Sequence, residues 1–372
     1  MSYKKGSKIG GLLVFVLFAS ILSGCATTTN TIKITSQGKG KTTTPKPVTS
    51  PKTPELPIQV SYQKGIDILL YGNYPDIKGL SSSLFTHLKS IGVNSISINF
   101  PFYMDNLYAS SVYTGESTPT SLELMDILET AHSFGLSTNL RPILDQKNLK
   151  GGGDGWRGII KPQDISSWFQ SYTNMIVRYA MLLQSAQGSI LTVGAELNSM
   201  EQYTGYWDTL IQKVRSVFSG EITYSSNWWP QLVSSNVQFW NKLNFISTDL
   251  FVPVQGPSLT DMISSWSPYL SALEQAYKQY NMPIVVTEIG AASQEGSYSK
   301  PWVSSSTGIY SSSAQADYYD AAFTSLRSLS FVKGIYIWDI PFNQLLPGYN
   351  PNTDTGFNPL GKKGETIIQR NF

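Results

Sequence analysis

The chain has 372 residues, with 27 Lys+Arg against 25 Asp+Glu, two His and a single Cys. One cysteine excludes an internal disulfide and a multi-cysteine metal site, and the length admits one large domain or two ordinary ones. The formal charge of +2 hides an asymmetry, because the first 60 residues hold eight Lys and only Glu55, leaving the remainder mildly acidic. Nothing in that balance suggests a nucleic-acid surface on the folded part.

Lys4, Lys5 and Lys8 precede an apolar run from Ile9 to Ile21 that ends in Leu22-Ser23-Gly24-Cys25. A basic start, a short apolar stretch and small residues at its end read as a secretory signal over 1–24. The run falls short of the about 20 residues a membrane-spanning helix needs. The ending resembles a bacterial lipobox, in which the cysteine is lipidated, so Cys25 is expected to anchor the protein at an extracytoplasmic membrane surface. Residues 25–60 are Thr, Ser, Pro and Lys with almost no apolar side chains, and they read as a disordered tether. Gly38-Lys39-Gly40-Lys41-Thr42 hints at a phosphate loop, but position 35 is Thr and no strand precedes it.

From Ser61 to Phe372 strand-like and helix-like stretches alternate. Strands are expected at Ile66–Tyr71, Ser95–Pro101, Leu136–Leu144, Ser189–Glu196, Glu221–Ser226, Asn244–Asp249, Pro283–Glu288 and Gly334–Trp338. Helices are expected at Leu80–Ile91, Ser121–Phe134, Asp164–Leu183, Tyr206–Phe218, Leu259–Tyr280 and Ala314–Leu329. Eight strands, most followed by a helix, predict an α/β fold of the (β/α)8 TIM-barrel type as one catalytic domain. The rival, a doubly wound sheet, lacks a glycine-rich dinucleotide loop after its first strand.

Two of these strands end on an acid. Ile190, Leu191 and Val193 lead through Gly194 and Ala195 to Glu196, and Pro283 to Thr287 leads to Glu288. The two acids are 92 residues apart, three barrel units of roughly 31 residues, and so tip the fourth and seventh strands. All strand C-termini of such a barrel open on one face, which directs both carboxyls into one bowl. The plainer reading is two unrelated strand-end acids facing solvent. Paired carboxylates across a sugar cleft are what glycoside hydrolysis requires. His87 and His132 lie in helical stretches away from the strand ends, and no G-x-S-x-G elbow is present. Neither a metal site nor a cofactor is expected.

This arrangement resembles clan A of the retaining glycoside hydrolases, and more closely glycoside hydrolase family 113, whose known members are endo-β-1,4-mannanases. The resemblance runs from about Ser61 to the C-terminus. It rests on Trp156-Arg157-Gly158, Trp168 to Tyr172, Gly194 to Leu197, Trp207–Trp229, Phe239–Pro253, Thr287 to Gly290, Pro301-Trp302 and Gly334 to Trp338. It implies Glu196 as acid/base and Glu288 as nucleophile, with Asn227, Trp228, Asp249 and Trp338 in the cleft. Trp338 offers a flat face to a sugar ring, and Asp249 and Asn227 can hydrogen-bond hydroxyls. One of Trp228 and Trp229 is expected in the cleft and the other in the core. Trp156, in the Gly151–Gly158 loop, is read either as cleft lining or as loop packing. The chain departs from the pattern at Ala195, where clan A usually has Asn. It departs again at Phe251, where a Tyr would bond the nucleophile, and at Ala291, where an aromatic is expected. With no hydroxyl at Phe251, Arg141 at the end of the third strand is the candidate to keep Glu288 charged. The expectation is thus a retaining, endo-acting hydrolase of β-mannan or a related β-glycan, monomeric and lipid-anchored. Its rivals are a non-catalytic carbohydrate-binding barrel and the binding lipoprotein of a transporter.

Overall fold

The computed structural model describes residues 57–149, 155–228, 236–256, 258–305 and 307–372. The signal, Cys25, the tether as far as 56, most of the glycine-rich loop and Trp229 lie outside the described residues.

Eight parallel strands close into one barrel in sequence order: β1 (Gln63–Leu69), β2 (Ser95–Phe102), β3 (Ser137–Leu144), β4 (Ile190–Ala195), β5 (Glu221–Asn227), β6 (Ile246–Asp249), β7 (Ile284–Ile289) and β8 (Val332–Pro341). β8 pairs back on β1, so the sheet has no edge. Helices α1 (Ile77–Ser90), α2 (Ser121–Ser133), α3 (Ile165–Ser185) and α4 (Thr204–Arg215) follow the first four strands. Side-chain caps start several of them: Asp76 accepts from the Gly79 N–H, Asp164 from Ser167, and Thr120 with Glu123 forms a capping box on α2.

The stretch expected as one helix over 259–280 is two, α5 (Leu259–Ser265) and α6 (Ser267–Tyr280). Pro268 in the first turn of α6 has no N–H to continue the ladder, and buried Trp266 marks the corner. α7 (Ser312–Leu326) and a helix the periodicity did not reveal, α8 (Lys363–Asn371), complete the ring. α8 is short and mostly polar, and of its residues only Gly364 and Ile368 are buried.

The strands alternate between two environments. Ile66, Ile68, Ile96, Ile98, Phe100 and Leu140 face the helices and join the main apolar core. The opposite phase fills the barrel in layers. Ile190, Phe245, Val285 and Tyr336 form a separate apolar plug at the N-terminal end. Gly65 has to be glycine there, since a Cβ would fall 2.2 Å from the Tyr336 ring. Above the plug comes a polar layer, in which Thr192 donates to Asn139 (2.9 Å) and the Thr223 and Ser247 hydroxyls meet at 2.9 Å. Charged residues begin one layer higher, at Asp67, Arg141 and Asp249, all fully buried. No helix among the described residues is long and apolar enough to cross a membrane.

Candidate active site

β4 delivers Glu196 through an irregular end. Its register against β5 shifts between Thr192 and Ala195, and Gly194 packs so tightly that a Cβ would fall 2.9 Å from Trp207 and 3.0 Å from Tyr224. Glu196 itself adopts the left-handed region at φ 53°, which costs a side-chain-bearing residue about 1–3 kcal/mol. Three hydrogen bonds hold the kink. The Glu196 N–H donates to Ser225 O (2.8 Å), the Leu197 N–H donates to the Tyr224 hydroxyl (2.9 Å), and that hydroxyl donates to buried Glu201 (2.9 Å). The carboxyl then meets Asn227, whose Nδ2 donates to Oε1 at 2.6 Å, and the Arg157 guanidinium 3.6 Å from Oε2. Trp156 bonds it from the same loop as Arg157.

β7 delivers Glu288 through a second irregularity. Opposite β6 the register runs Thr248 to Val286 and then Asp249 to Glu288, so Thr287 is the extra residue of a bulge. A bulge lets consecutive side chains share a face. Accordingly Thr287 donates to Asp249 Oδ1 (3.0 Å), while Glu288 Oε1 receives Nη1 of Arg141. Arg141 spreads its other bonds to Asp249 Oδ2 (2.6 Å) and Asn99 Oδ1 (2.9 Å), and Asn99 Nδ2 donates to Asp67 Oδ1 (2.9 Å). Ser225 adds a 2.7 Å bond to Asp249 Oδ1.

Burial raises the Glu196 carboxyl above the usual carboxylate range, with Arg157 opposing and Asp249 reinforcing. Burial also pushes Glu288 well upward, followed by repulsion from Asp249, against which the Arg141 contact pulls. For Arg141 burial works against the charge, but Asp249 and Glu288 outweigh it and raise its pKa further. Each carboxyl thus has its own cation, Arg141 in direct contact with Glu288 and Arg157 3.6 Å from Glu196.

Both glutamates line one cavity of about 690 Å³ at the C-terminal mouth, within the range of small-molecule sites. Gln146, Arg157 and Asn227 are its other polar groups. Its walls are aromatic: Trp156, Trp228, Tyr269, Trp302 and Trp338, with Phe251 and Phe357. Trp228 packs against Trp302 with ring centroids 5.3 Å apart, and Trp302 remains 47 % exposed.

Of the residues singled out from the sequence, Glu196, Glu288, Trp156, Asn227, Trp228, Phe251 and Trp338 meet in this cavity. Two corrections follow. Asp249 is fully buried, and both its oxygens are occupied by Arg141, Ser225 and Thr287, so it supports the cavity floor and offers nothing to a sugar hydroxyl. Arg141 is also fully buried; it touches Glu288, as expected of the group holding that charge, but it is no substrate contact. Sequence reasoning passed over Asp67 and Asn99 as site residues. Their signal was present as polar residues on the inward phase of Gly65-Ile66-Asp67-Ile68 and Ser97-Ile98-Asn99.

A (β/α)8 barrel with a buried and a partly buried glutamate in one aromatic cavity at its C-terminal mouth defines the class of barrel glycosidases. The model of Glycoside Hydrolase Family 113 matches residues 72–362, and the chain belongs to that family. No curated protein matches the sequence. Among solved structures it is similar to a GH113 beta-mannanase, AaManA from Alicyclobacillus acidocaldarius, at 23% identity and TM-score 0.74, over 84% of this chain and 97% of that one. A GH113 beta-1,4-mannanase is 24% identical with the same TM-score, over 84% of this chain and 99% of that one. A beta-glucuronidase from Ruminococcus gnavus shares the fold at TM-score 0.57 and 10% identity, over 84% of this chain and 50% of that one.

Proposed function

We propose that the protein is a retaining, endo-acting hydrolase of β-1,4-linked polysaccharide, with β-mannan as its preferred substrate. One observation carries the reading. Two glutamates with different cationic partners, Glu288 buried and Glu196 partly exposed, share one cavity walled by aromatic rings. Such rings stack on the apolar faces of sugars. The mannan preference is supported by membership of the family and by likeness to two mannanases.

In the proposed reaction Glu196 protonates the glycosidic oxygen as the Glu288 carboxylate attacks the anomeric carbon, giving a glycosyl-enzyme ester. Glu196, now ionised, takes a proton from water, which attacks the same carbon and releases Glu288. Arg141, which Asp249 holds from below, keeps Glu288 available as an anion. That is the task a tyrosine hydroxyl would share if Phe251 had one. Anchored through Cys25 on a tether, the domain would work outside the cytoplasm on a polymer too large to import.

The roles separate chemically. Glu196→Ala should retain turnover of an activated aryl glycoside, whose leaving group departs unprotonated, and regain rate with azide. Glu288→Ala should lose both aryl glycoside and polymer. Reversed behaviour would exchange the two roles, and undiminished hydrolysis in both variants would remove the site. Sugar release from mannan, glucomannan, xylan and cellulose tests the substrate, and NMR of the first-formed anomer tests retention.

A further inference from the structure

Beneath the two glutamates lies a group for which the double displacement has no use. Asp67 on β1 is fully buried, accepts from Asn99 Nδ2 at 2.9 Å and is also met by the Ser97 side chain, while its Oδ2 has no partner. Leaving a carboxyl half-satisfied in a barrel interior is expensive, so its presence calls for a physical account.

The account begins at Asn99. Its amide can be placed in two ways, exchanging oxygen and nitrogen. In one, Oδ1 accepts from Arg141 Nη1 (2.9 Å) and Nδ2 donates to Asp67. In the other, an NH2 would face the guanidinium, which has only donors, and an oxygen would face the Asp67 oxygen that now accepts. Asp67 and Arg141 thus select the same orientation from opposite sides. Arg141 in turn has one hydrogen on Nη1 for Asn99 and one for Glu288. Turning the guanidinium out of that plane loses both bonds together.

We propose that Asp67, acting through Asn99, is a positioning residue that fixes the Arg141 guanidinium and so aims the Glu288 carboxylate into the cavity. This inference rests on the reading of Glu288 as nucleophile. Asp67 acts as a hydrogen-bond acceptor and not as a charge. The ionisable and polar groups facing it are Ser97 and Asn99 from β2, Arg141 from β3, Asp249 from β6, Glu288 from β7 and Tyr336 from β8. Asp249 and Glu288 each contact the single guanidinium, whereas Asp67 reaches it only through Asn99. Burial raises the Asp67 carboxyl well above the usual range, with Arg141 opposing, and its unpartnered oxygen disfavours the anion further. Asp67 thus stands outside the direct contacts of the guanidinium and acts on it through its hydrogen bond with Asn99.

The test uses the full-length protein and kcat/KM on mannan against pH. Asp67→Leu removes the acceptor and should lower kcat on the order of 10²-fold, the scale of a misplaced reacting group, with KM little changed. It should also move the acidic limb to higher pH, since Glu288 then loses part of its support as an anion. Asp67→Asn, which keeps an acceptor at the same place and carries no charge, should rescue both rate and limb. Should Asp67→Leu fail to fold, Asn99→Ala decides, with the same loss and the same limb shift expected. Full activity in Asp67→Leu or Asn99→Ala would overturn the proposal. So would an acidic limb moved to lower pH in Asp67→Asn, which would mean that position 67 acts through charge. Glu288→Ala assayed beside them keeps the two readings apart, because activity surviving in that variant refutes the nucleophile and not the Asp67 relay.

Discussion

Replacing Tyr224 by Phe tests how Glu196 is held. The Tyr224 ring is fully buried against Trp207 and Phe239, with centroids at 5.4 and 5.5 Å, and Phe keeps that packing. What Phe loses is one hydroxyl with two duties, accepting from the Leu197 N–H and donating to Glu201, each at 2.9 Å. A buried backbone donor left unpaired costs about 1–3 kcal/mol, and loss of a donor to a buried carboxylate about as much. Glu201 has other interactions, so its share falls at the lower end. The sum is about 2–4 kcal/mol, a sizeable part of the 5–15 kcal/mol by which a domain is usually stable. For a domain of this size that corresponds to a Tm lower by about 3–6 °C in a calorimetric scan. The functional effect should exceed what stability explains. The freed Leu197 amide lets Glu196 leave its left-handed conformation, so kcat at 25 °C should fall about tenfold or more in protein that is still folded. A Tm within 1 °C of the parent, or full kcat, would refute the claim that this hydroxyl fixes the kink.

The other predictions are brief. Arg157→Gln removes the cation that lowers Glu196, so Glu196 should hold its proton to higher pH and the alkaline limb of kcat/KM should move up; a downward move would contradict the assignment. Burial, helped by Asp354, raises buried Asp339 from 3.8 to about 7. A raised folded pKa gives stability that is complete below the unfolded value and declines as pH climbs through the folded one, here by about 4 kcal/mol between pH 4 and 8. Asp339→Asn should therefore match the parent in Tm below about pH 4, exceed it increasingly up to about pH 7 and hold a constant margin above that, and a gap that did not change with pH would exclude this cause. Cys25→Ser should move the protein from the membrane to the soluble fraction without altering kcat on mannan; retention in the membrane would count against lipidation.

The barrel was legible because its evidence is periodic. Eight apolar runs, spaced by helical patterns, fix strand count and order, and both glutamates fall at strand ends by the same count. What the sequence did not show depends on irregularity or on contacts distant along the chain. A strict alternation would turn Glu288 away from Thr287, and only the bulge against β6 lets both meet the floor of the cavity. Nothing local announces that bulge, because it arises from fitting β7 between two neighbours with different registers. Asp249 was misplaced for the same reason. It is a strand-end acid like the glutamates, yet its position below them is set by Arg141, 108 residues away. Arg141 is legible only through chemistry, as the cation able to replace a missing hydroxyl, and not through pattern. That route reaches one residue at a time. Asp67 and Asn99 lay one step further, behind a guanidinium whose partners become visible only when β1, β2 and β3 are placed side by side. The deeper a residue lies behind the reacting groups, the less its own neighbours in sequence reveal of it.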